Sequence, residues 1–472
     1  MRYHSTRNLG HYKTFDEVLV STYAPDGGLY VPEKVPLLTS SQFCEMKNLT
    51  FPEVCAEILH LYSGIDTYDL NSMASASFML FNDGNQPLPI TKLPVDGSSI
   101  YLLDTSLGPT FAFKDIGQQM VGKLLNYVLG KQNKKAKIVV ETSGDTGPAA
   151  ITGVLGCKNV EIFCLYPQGR VSEIQELQMI TILDENVHVY RTQGDTDEQA
   201  SVLKELFQDE NFIQQHNICS VNSINWVRIA TQSSYYIWSY LKLCQENVIT
   251  FGDPIDYVIP TGAFGNAMGA YLARLMGLPI RRIFCATNAN DIVHRTLTTG
   301  DMSMGTNIQT ESPAMDIQFA YNLERMLYFI SNENPDIVRT YMAAVEQQYS
   351  YLPGAKGAQL DSIILTRIQS IFTSYSVSNQ DTLDTINNIK LKYNILLCPH
   401  SATGVYAALN PFQELLLKSN PSICVLTAHP AKFEETIYRA TGQNPKIPNA
   451  ITELRNKPVK YFCLNKTQQV QE

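Results

Sequence analysis

The sequence lacks the features that mark membrane, secreted and metal-binding proteins. No run approaches the roughly 20 apolar residues that a membrane-spanning helix needs, and the first ten residues (MRYHSTRNLG) contain no apolar secretory segment. The ten cysteines form no C-x-x-C pair, and the eight histidines show neither H-x-x-x-H nor H-E-x-x-H spacing. We therefore expect no membrane span and no metal, and a cytoplasmic protein with the mitochondrial matrix as the alternative.

Positive charge is also scarce. The net charge is −9, with 17% charged and 44% hydrophobic residues. A protein that binds nucleic acid or an anionic membrane surface carries an excess of basic residues. The balance favours a globular protein whose partner is a small molecule.

The order of apolar runs indicates an α/β protein. Between residues 137 and 287, short runs rich in branched residues alternate with stretches of helical period, as in mainly parallel sheets covered by helices. The predicted strands are 137–140, 160–166, 187–191, 218–221, 257–259, 282–286, 395–397 and 423–427. The predicted helices include 51–61, 115–129 and 226–243.

At 472 residues the chain exceeds the size at which one hydrophobic core stops growing. Residues 1–87 are predicted to form an N-terminal lobe and residues 88–330 the α/β core. Residues 331–390 are polar and predicted to form a helical insertion or lid. Residues 391–472 then complete the core.

The loop TSLGPTFAFKD (105–115) places a lysine where a helix begins. An apolar surrounding lowers the pKa of a lysine and supplies the neutral amine that a Schiff base requires. Lys114 is therefore a candidate nucleophile, although the motif alone also fits a solvated lysine at a helix end.

The loop ETSGDTGP (141–148) follows a predicted strand and precedes a predicted helix. Its backbone N–H groups and hydroxyls come together at the carboxyl edge of a sheet, where α/β proteins bind anions. A structural strand-to-helix turn would use the same residue types.

The loop PTGAFGNAMG (260–269) also joins a strand to a helix, and its glycines allow a phosphate to approach the helix N-terminus. The pattern G-x-G-x-x-G of dinucleotide-binding loops is absent, as is the G-K-[ST] ending of the P-loop. A monophosphate fits this loop better than a dinucleotide does.

Taken together and in this order, the three loops resemble the threonine synthase family of enzymes that depend on pyridoxal 5′-phosphate (PLP). Further segments share the resemblance across the chain: YAPDGGLYVPE, IQELQM, NSINWVR, SPAMDIQ, NLER, CPHSATG and TAHPAKF. The whole pattern is most similar to the threonine synthase-like branch. The resemblance implies PLP fold type II, which is tryptophan synthase beta-like, with mainly parallel sheets covered by helices.

The resemblance also implies a role for each matching residue. Lys114 would hold PLP as a Schiff base and move protons on the substrate. The other implied cofactor-binding residues are Gly262, Ala263, Phe264, Gly265 and Asn266 around the phosphate, with Asp145, Ser401 and Thr403. The implied substrate-binding residues are Thr110, Ser143, Gly144, Thr146, Asn225 and Arg228, the last two at the substrate phosphate.

Two residues depart from the family pattern. Leu107 stands where threonine synthases have a histidine before Gly-Pro-Thr, and Ala263 stands where many members have asparagine. Loss of an imidazole near the cofactor would change how water reaches the substrate, so these departures bear on the product.

The predicted activity is that of a PLP-dependent carbon–oxygen lyase. It would remove phosphate from O-phosphohomoserine or O-phosphothreonine and give 2-oxobutyrate and ammonia. A true threonine synthase, a serine or threonine dehydratase, and an inactive PLP-binding signalling protein are the alternatives. The partner is a phosphorylated amino acid, and the chain is expected to be a monomer or a homodimer.

Overall fold

A computed structural model describes residues 1–95, 97, 99–194, 196–349, 357–416 and 420–464. The strands are β1 (Arg2–Ser5), β2 (Asn8–Thr14), β3 (Tyr30–Pro32), β4 (Ile90–Lys92), β5 (Ile100–Asp104), β6 (Ala136–Glu141), β7 (Val160–Pro167), β8 (Val187–Thr192), β9 (Ile218–Cys219), β10 (Ile255–Pro260), β11 (Ile280–Thr287), β12 (Phe372–Ser376), β13 (Ser422–Leu426) and β14 (Phe462–Leu464).

The first ten helices are α1 (Phe15–Leu19), α2 (Ser40–Met46), α3 (Phe51–Ser63), α4 (Thr67–Phe78), α5 (Lys114–Gln132), α6 (Thr146–Val154), α7 (Glu173–Ile180), α8 (Thr196–Gln208), α9 (Glu210–His216) and α10 (Trp226–Gln245). Those that follow are α11 (Gly265–Leu275), α12 (Ile292–Thr299), α13 (Leu323–Ile330), α14 (Pro335–Tyr349), α15 (Ser362–Gln369), α16 (Asn379–Tyr393), α17 (Pro399–Leu409), α18 (Glu434–Thr441) and α19 (Asn449–Thr452).

Two sheets carry the fold, and each supplies one edge of the cavity described below. The larger has the strand order β12-β11-β10-β13-β5-β4 and is parallel except for β4. The smaller has the order β14-β8-β7-β6-β9 and is parallel throughout. A third, antiparallel sheet of β1, β2 and β3 lies at the N-terminus. The predicted α/β class is confirmed.

Helix α10 is a central packing element of the fold. Nearly every side chain from Trp226 to Cys244 is buried, and the helix packs against α3, α5 and α11. Helices α5 and α6 meet through glycines, because a Cβ on Gly122 would overlap the carbonyl oxygen of Gly153. Lys114 is the first residue of α5, on the N-terminal side of this close approach.

Most of the predicted strands are present with shifted ends. The segment 218–221 contains a strand of only two residues, and 395–397 is wrong as a strand because it is an unpaired connection between α16 and α17. An apolar run of three residues does not distinguish a strand from a buried connection. The strands of the N-terminal sheet, with β4, β5, β12 and β14, were not predicted.

The segment 331–390 was expected to be a helical insertion. It contains α14, α15 and most of α16, but it also contributes β12, which pairs with β11 at the edge of the larger sheet. The division of the chain into four parts remains a proposal.

Among the described residues, no helix combines the length and apolar character required to cross a membrane.

Candidate active site

A cavity of about 100 Å³, partly open to solvent, lies where the carboxyl ends of β6 and β10 face each other. The loop after β6 and the loop after β10 both line it, together with Lys114. Because β6 and β10 belong to different sheets, the cavity lies between the two sheets. The three loops singled out in the sequence therefore meet at one site.

Lys114 is the first residue of α5, and its side chain lines the cavity. Within the part of the chain that the structure describes, no residue forms a hydrogen bond or ion pair with its Nζ atom; the ammonium lies 5.6 Å from the ring centre of Phe113. Burial lowers the pKa of Lys114 to about 8, against the opposing effect of Asp145. A lysine in this environment supplies the neutral amine that attack on a carbonyl requires.

The loop after β10 is built for an anion. Phe264 has a φ of 63°, a left-handed conformation that turns the chain into α11. Asn266 lies in the first turn of that helix, and its Oδ1 accepts hydrogen bonds from Tyr235 and Tyr236. Its Nδ2 has no partner in the described chain. Free backbone N–H groups and this buried amide together match a phosphate.

The loop after β6 has a fixed shape. Thr142 Oγ1 accepts from the backbone N–H groups of Gly144 and Gly147, both at 3.0 Å. Gly144 has a φ of 140°, and a Cβ there would lie 2.5 Å from the amide of Gln175. This conformation directs Ser143, Asp145 and Thr146 to the cavity wall.

Asp145 forms a buried ion pair that the sequence analysis missed. Its Oδ1 lies 2.7 Å from Nζ of Lys432 and accepts a hydrogen bond from Gln175 at 2.9 Å. Burial alone would raise the pKa of Asp145, but Lys432 and Lys114 outweigh burial and lower it well below its ordinary value. Lys432 stands in TAHPAKF, but nothing in that segment alone indicates a partner in the loop after β6.

Arg228 is buried and lines the cavity. Its Nη1 donates to the carbonyl oxygen of Val221 at 3.1 Å, whereas its Nε has no partner among the described residues. Burial lowers the pKa of Arg228 to about 10. The guanidinium therefore stays charged at neutral pH and retains a donor for an anion.

Asn225 lies outside the cavity wall. It caps α10 through the backbone N–H of Val227, and its Nδ2 donates to the carbonyl oxygens of Leu19 and Ser220. Asn222 and Ser223 line the cavity instead. All three residues stand in the NSINWVR segment. Asn225 caps the helix because α10 begins at the next residue, Trp226, whereas Asn222 and Ser223 precede the cap and line the cavity.

Glu141, the last residue of β6, is a buried carboxyl group on the same wall. Its Oε1 accepts from the hydroxyl of Tyr321 at 2.9 Å and from Nδ2 of Asn222 at 3.1 Å. Burial raises the pKa of Glu141 to about 7. It was not among the predicted site residues.

His400 closes another part of the wall, and it too was missed. Its Nε2 accepts from the backbone N–H of Ala314 at 3.0 Å, and its Nδ1 has no partner among the described residues. Burial lowers the pKa of His400 to about 3, so the imidazole is neutral. Thr427, also on the wall, has a buried hydroxyl oxygen without a partner in the same part of the chain.

Thr110, Ser401 and Thr403 lie behind the wall. The hydroxyl of Thr110 donates to Asp115 at 2.5 Å, and that of Thr403 donates to the carbonyl oxygen of His400 at 2.7 Å. The hydroxyl oxygen of Ser401 accepts from the backbone N–H of Thr427 at 2.9 Å.

The structure thus brings together ten of the fifteen predicted residues. The cavity wall contains Lys114, Ser143, Asp145, Thr146, Arg228, Gly262, Ala263, Phe264, Gly265 and Asn266. Thr110, Gly144, Asn225, Ser401 and Thr403 are not part of it. Of the two departures from the family pattern, Ala263 lines this cavity, and Leu107 lines a separate cavity of about 390 Å³.

Three family descriptions match successive parts of the chain. Residues 2–78 match the threonine synthase N terminus, residues 81–428 match pyridoxal-phosphate dependent enzymes, and residues 401–472 match the threonine synthase C-terminal region. Threonine synthase-like 2 of Homo sapiens is 36% identical over 97% of this chain and 92% of its own length. Threonine synthase of Pseudomonas aeruginosa is 35% identical over 96% and 93%.

A solved structure, PLP-bound threonine synthase from Brucella melitensis, superposes with a TM-score of 0.88 at 33% identity. It covers 99% of this chain and 98% of its own. This similarity and the match to PLP-dependent enzymes confirm the expected fold type II. The residues fit the cofactor. The pKa of Lys114 is lowered, and this lysine shares the cavity with the anion-binding loop. The wall also carries two buried polar atoms without a partner among the described residues, Nδ2 of Asn266 and the hydroxyl oxygen of Thr427.

Proposed function

Because the chain belongs to the threonine synthase family of PLP-dependent enzymes, we propose that it eliminates phosphate from O-phosphohomoserine or O-phosphothreonine. Water completes the reaction, and the products are 2-oxobutyrate, ammonia and phosphate. PLP supplies the electron sink that allows a proton to leave a carbon atom of the substrate.

The observation that carries the proposal is a second group of anion-binding residues in the same cavity. The loop 262–266 accommodates the phosphate of the cofactor. Arg228 lines the same cavity, and its Nε has no partner among the residues that the structure describes; Ser223 adds a hydroxyl to the wall. A buried arginine without a carboxylate partner is costly unless an anion reaches it, so its position favours a phosphorylated substrate.

Lys114 would move the protons. With its pKa near 8, roughly a fifth of the side chain is neutral at pH 7.4 when no cofactor is attached, which permits attachment. During turnover the released amine lies in the same cavity and can accept a proton from the substrate carbon and return it at another.

Asp145 and His400 would fix the surroundings of that amine. Lys432 holds Asp145 in its ionised form, and burial holds His400 in its neutral form. Neither group changes its charge near neutral pH, so the contribution of these two groups to the field around Lys114 stays constant while Lys114 titrates.

Threonine formation from O-phosphohomoserine is the second candidate. Relatives named threonine synthase reach 35% identity, close to the 36% of a relative named threonine synthase-like 2. The two reactions share every step up to phosphate release and differ in whether water adds to the carbon chain.

The test is incubation of the purified, PLP-loaded protein with each phosphoester. We expect phosphate, ammonia and 2-oxobutyrate in equal amounts. Threonine in place of 2-oxobutyrate would establish the second candidate, and no phosphate from either compound would contradict the substrate class. Homoserine and threonine serve as unphosphorylated controls, since a dehydratase would turn over threonine.

Cofactor attachment is checked independently of turnover. Borohydride reduction followed by peptide mapping should place the modified lysine at position 114. A Lys114→Ala variant should lose the visible absorbance of bound PLP, and label on another lysine would contradict the assignment.

A further inference from the structure

Glu141 is a buried acid in a cavity that binds anions. It is the last residue of β6, directly before the loop that lines the cavity, and Arg228, Asn222 and Ser223 line the same cavity. A carboxylate is an acceptor only, and so it cannot bind a phosphate. Its ionised form would instead repel the phosphate.

The hydrogen bonds of Glu141 leave one oxygen for a proton. Tyr321 and Asn222 both donate to Oε1, and neither donates to Oε2. A neutral carboxyl group protonated on Oε2 keeps both of these hydrogen bonds. It also gains one donor, and a donor is what a phosphate oxygen needs.

We propose that Glu141 is a catalytic acid that protonates the departing phosphate. The inference rests on the proposed phosphate elimination and adds a residue to it. Arg228 would hold the phosphate, and the carboxyl group of Glu141 would donate its proton to the oxygen whose bond to carbon breaks.

The step balances without another reactant. Lys114 takes a proton from the substrate carbon, and the electron pair of that C–H bond forms the new carbon–carbon double bond as the C–O bond breaks. The C–O electron pair goes to the phosphate oxygen, which accepts the proton from Glu141. Phosphate therefore leaves as HPO₄²⁻ and not as the far more basic PO₄³⁻. Water at the open side of the cavity carries the proton taken by Lys114 back to Glu141, so both groups return to their starting states.

The groups that face Glu141 are consistent with a neutral acid. Asp197 lines the same cavity and disfavours the ionised form, whereas Arg228 favours it. Tyr321 also lines this cavity, and near Glu141 lie the hydroxyl group of Tyr23, the thiol of Cys164 and the ammonium of Lys204. Burial is the largest influence and raises the pKa of Glu141 to about 7, and a bound phosphate dianion would raise it further.

The decisive variant is Glu141→Gln, which keeps an oxygen for Tyr321 and Asn222 but carries no acidic proton. We expect kcat for phosphate release to fall by roughly 100- to 10,000-fold, the usual contribution of a general acid, with little change in KM. The second substrate is 2-amino-4-chlorobutanoate, whose chloride leaves without a proton. The ratio of phosphate to chloride elimination should therefore fall by a similar factor.

The matched control is Glu161→Gln on the neighbouring strand β7, where the carboxyl group pairs with His188 at the surface. It should leave the ratio unchanged. An unchanged ratio in Glu141→Gln, or equal losses with both leaving groups, would overturn the proposal and assign Glu141 a structural role. If the unaltered protein releases no phosphate from either phosphoester, the proposed function itself fails.

If Glu141→Gln does not fold, the proposal can be tested on the unaltered protein by measuring proton uptake when sulfate binds. Sulfate is a dianion that does not titrate near neutral pH, and it can occupy the substrate phosphate position of the PLP-loaded protein. Calorimetry at pH 7.5 in two buffers of different ionisation enthalpy should show that sulfate binding takes up part of a proton. Sulfate binding without proton uptake would contradict a neutral acid in the cavity.

Discussion

Removal of the Lys432 ammonium tests the buried charges beside Lys114. The pair is almost fully enclosed: side-chain exposure is 0% for Lys432 and 4% for Asp145, and the charged atoms are 2.7 Å apart. Lys432→Met keeps most of the side chain, which becomes one heavy atom shorter, and removes the charge. Removing one partner of a buried pair costs about 3–5 kcal/mol, because the other charge is left uncompensated.

The remaining contacts place the expected loss at the lower end of that range. Asp145 keeps the hydrogen bond from Gln175, and the carbonyl oxygen of Thr110, which Lys432 also contacts, keeps the donor of Gln178. We therefore expect the free energy of unfolding at pH 7 to fall by about 3 kcal/mol. Urea denaturation followed by circular dichroism measures it through the shift in midpoint at a common slope.

The loss should depend on pH with a definite sign. The pKa of Asp145 is lowered in the folded protein, so its contribution to stability is present above the ordinary value near 4 and lost as the pH falls through the folded value. The difference between the variant and the unaltered protein should therefore shrink as the pH falls below about 4.

A double-mutant cycle completes this test. Asp145→Asn alone leaves Lys432 unpaired, whereas the double variant removes both charges, so we expect a coupling energy of about 2 kcal/mol or more. A loss below about 0.5 kcal/mol in Lys432→Met, or effects that add within about 0.5 kcal/mol, would refute the buried pair.

Three further predictions concern α5, the loop before it and the guanidinium on the wall. Gly122→Ala should lower the free energy of unfolding by about 3 kcal/mol because its methyl group meets the backbone of α6. Gly130→Ala in the same helix would make only an ordinary contact, at 3.9 Å from Nδ2 of Asn159, and should stabilise the protein by about 0.5–1 kcal/mol; thermal unfolding compares the two variants. Thr110→Val should cost about 2 kcal/mol of stability through the lost hydrogen bond to Asp115 and leave KM unchanged, and a raised KM would return Thr110 to the substrate site. Arg228→Lys should raise KM for the phosphoester by about 10-fold without loss of cofactor absorbance, because the charge stays and the forked donor is lost.

Local sequence was sufficient for much of the fold. Six of the eight predicted strands are present as strands of ordinary length, since branched apolar runs between helical stretches have few other ways to be buried. The N-terminal sheet escaped prediction because the residues of β2 are mostly exposed and polar. The strand β12 lay in a polar segment, where pairing with β11 is decided by the rest of the sheet.

The sequence by itself determined the three loops and the lysine at the start of α5. Proline fixes φ, and glycine admits conformations and close approaches that other residues do not, so a short motif already indicates how each loop is built. What only the tertiary structure decided is which side chains reach the cavity. It placed Lys432 against Thr110, 322 positions away in the chain, and it brought Glu141 against Asn222. These contacts depend on how the two sheets and α10 pack together, and that packing cannot be predicted from a short segment of the sequence.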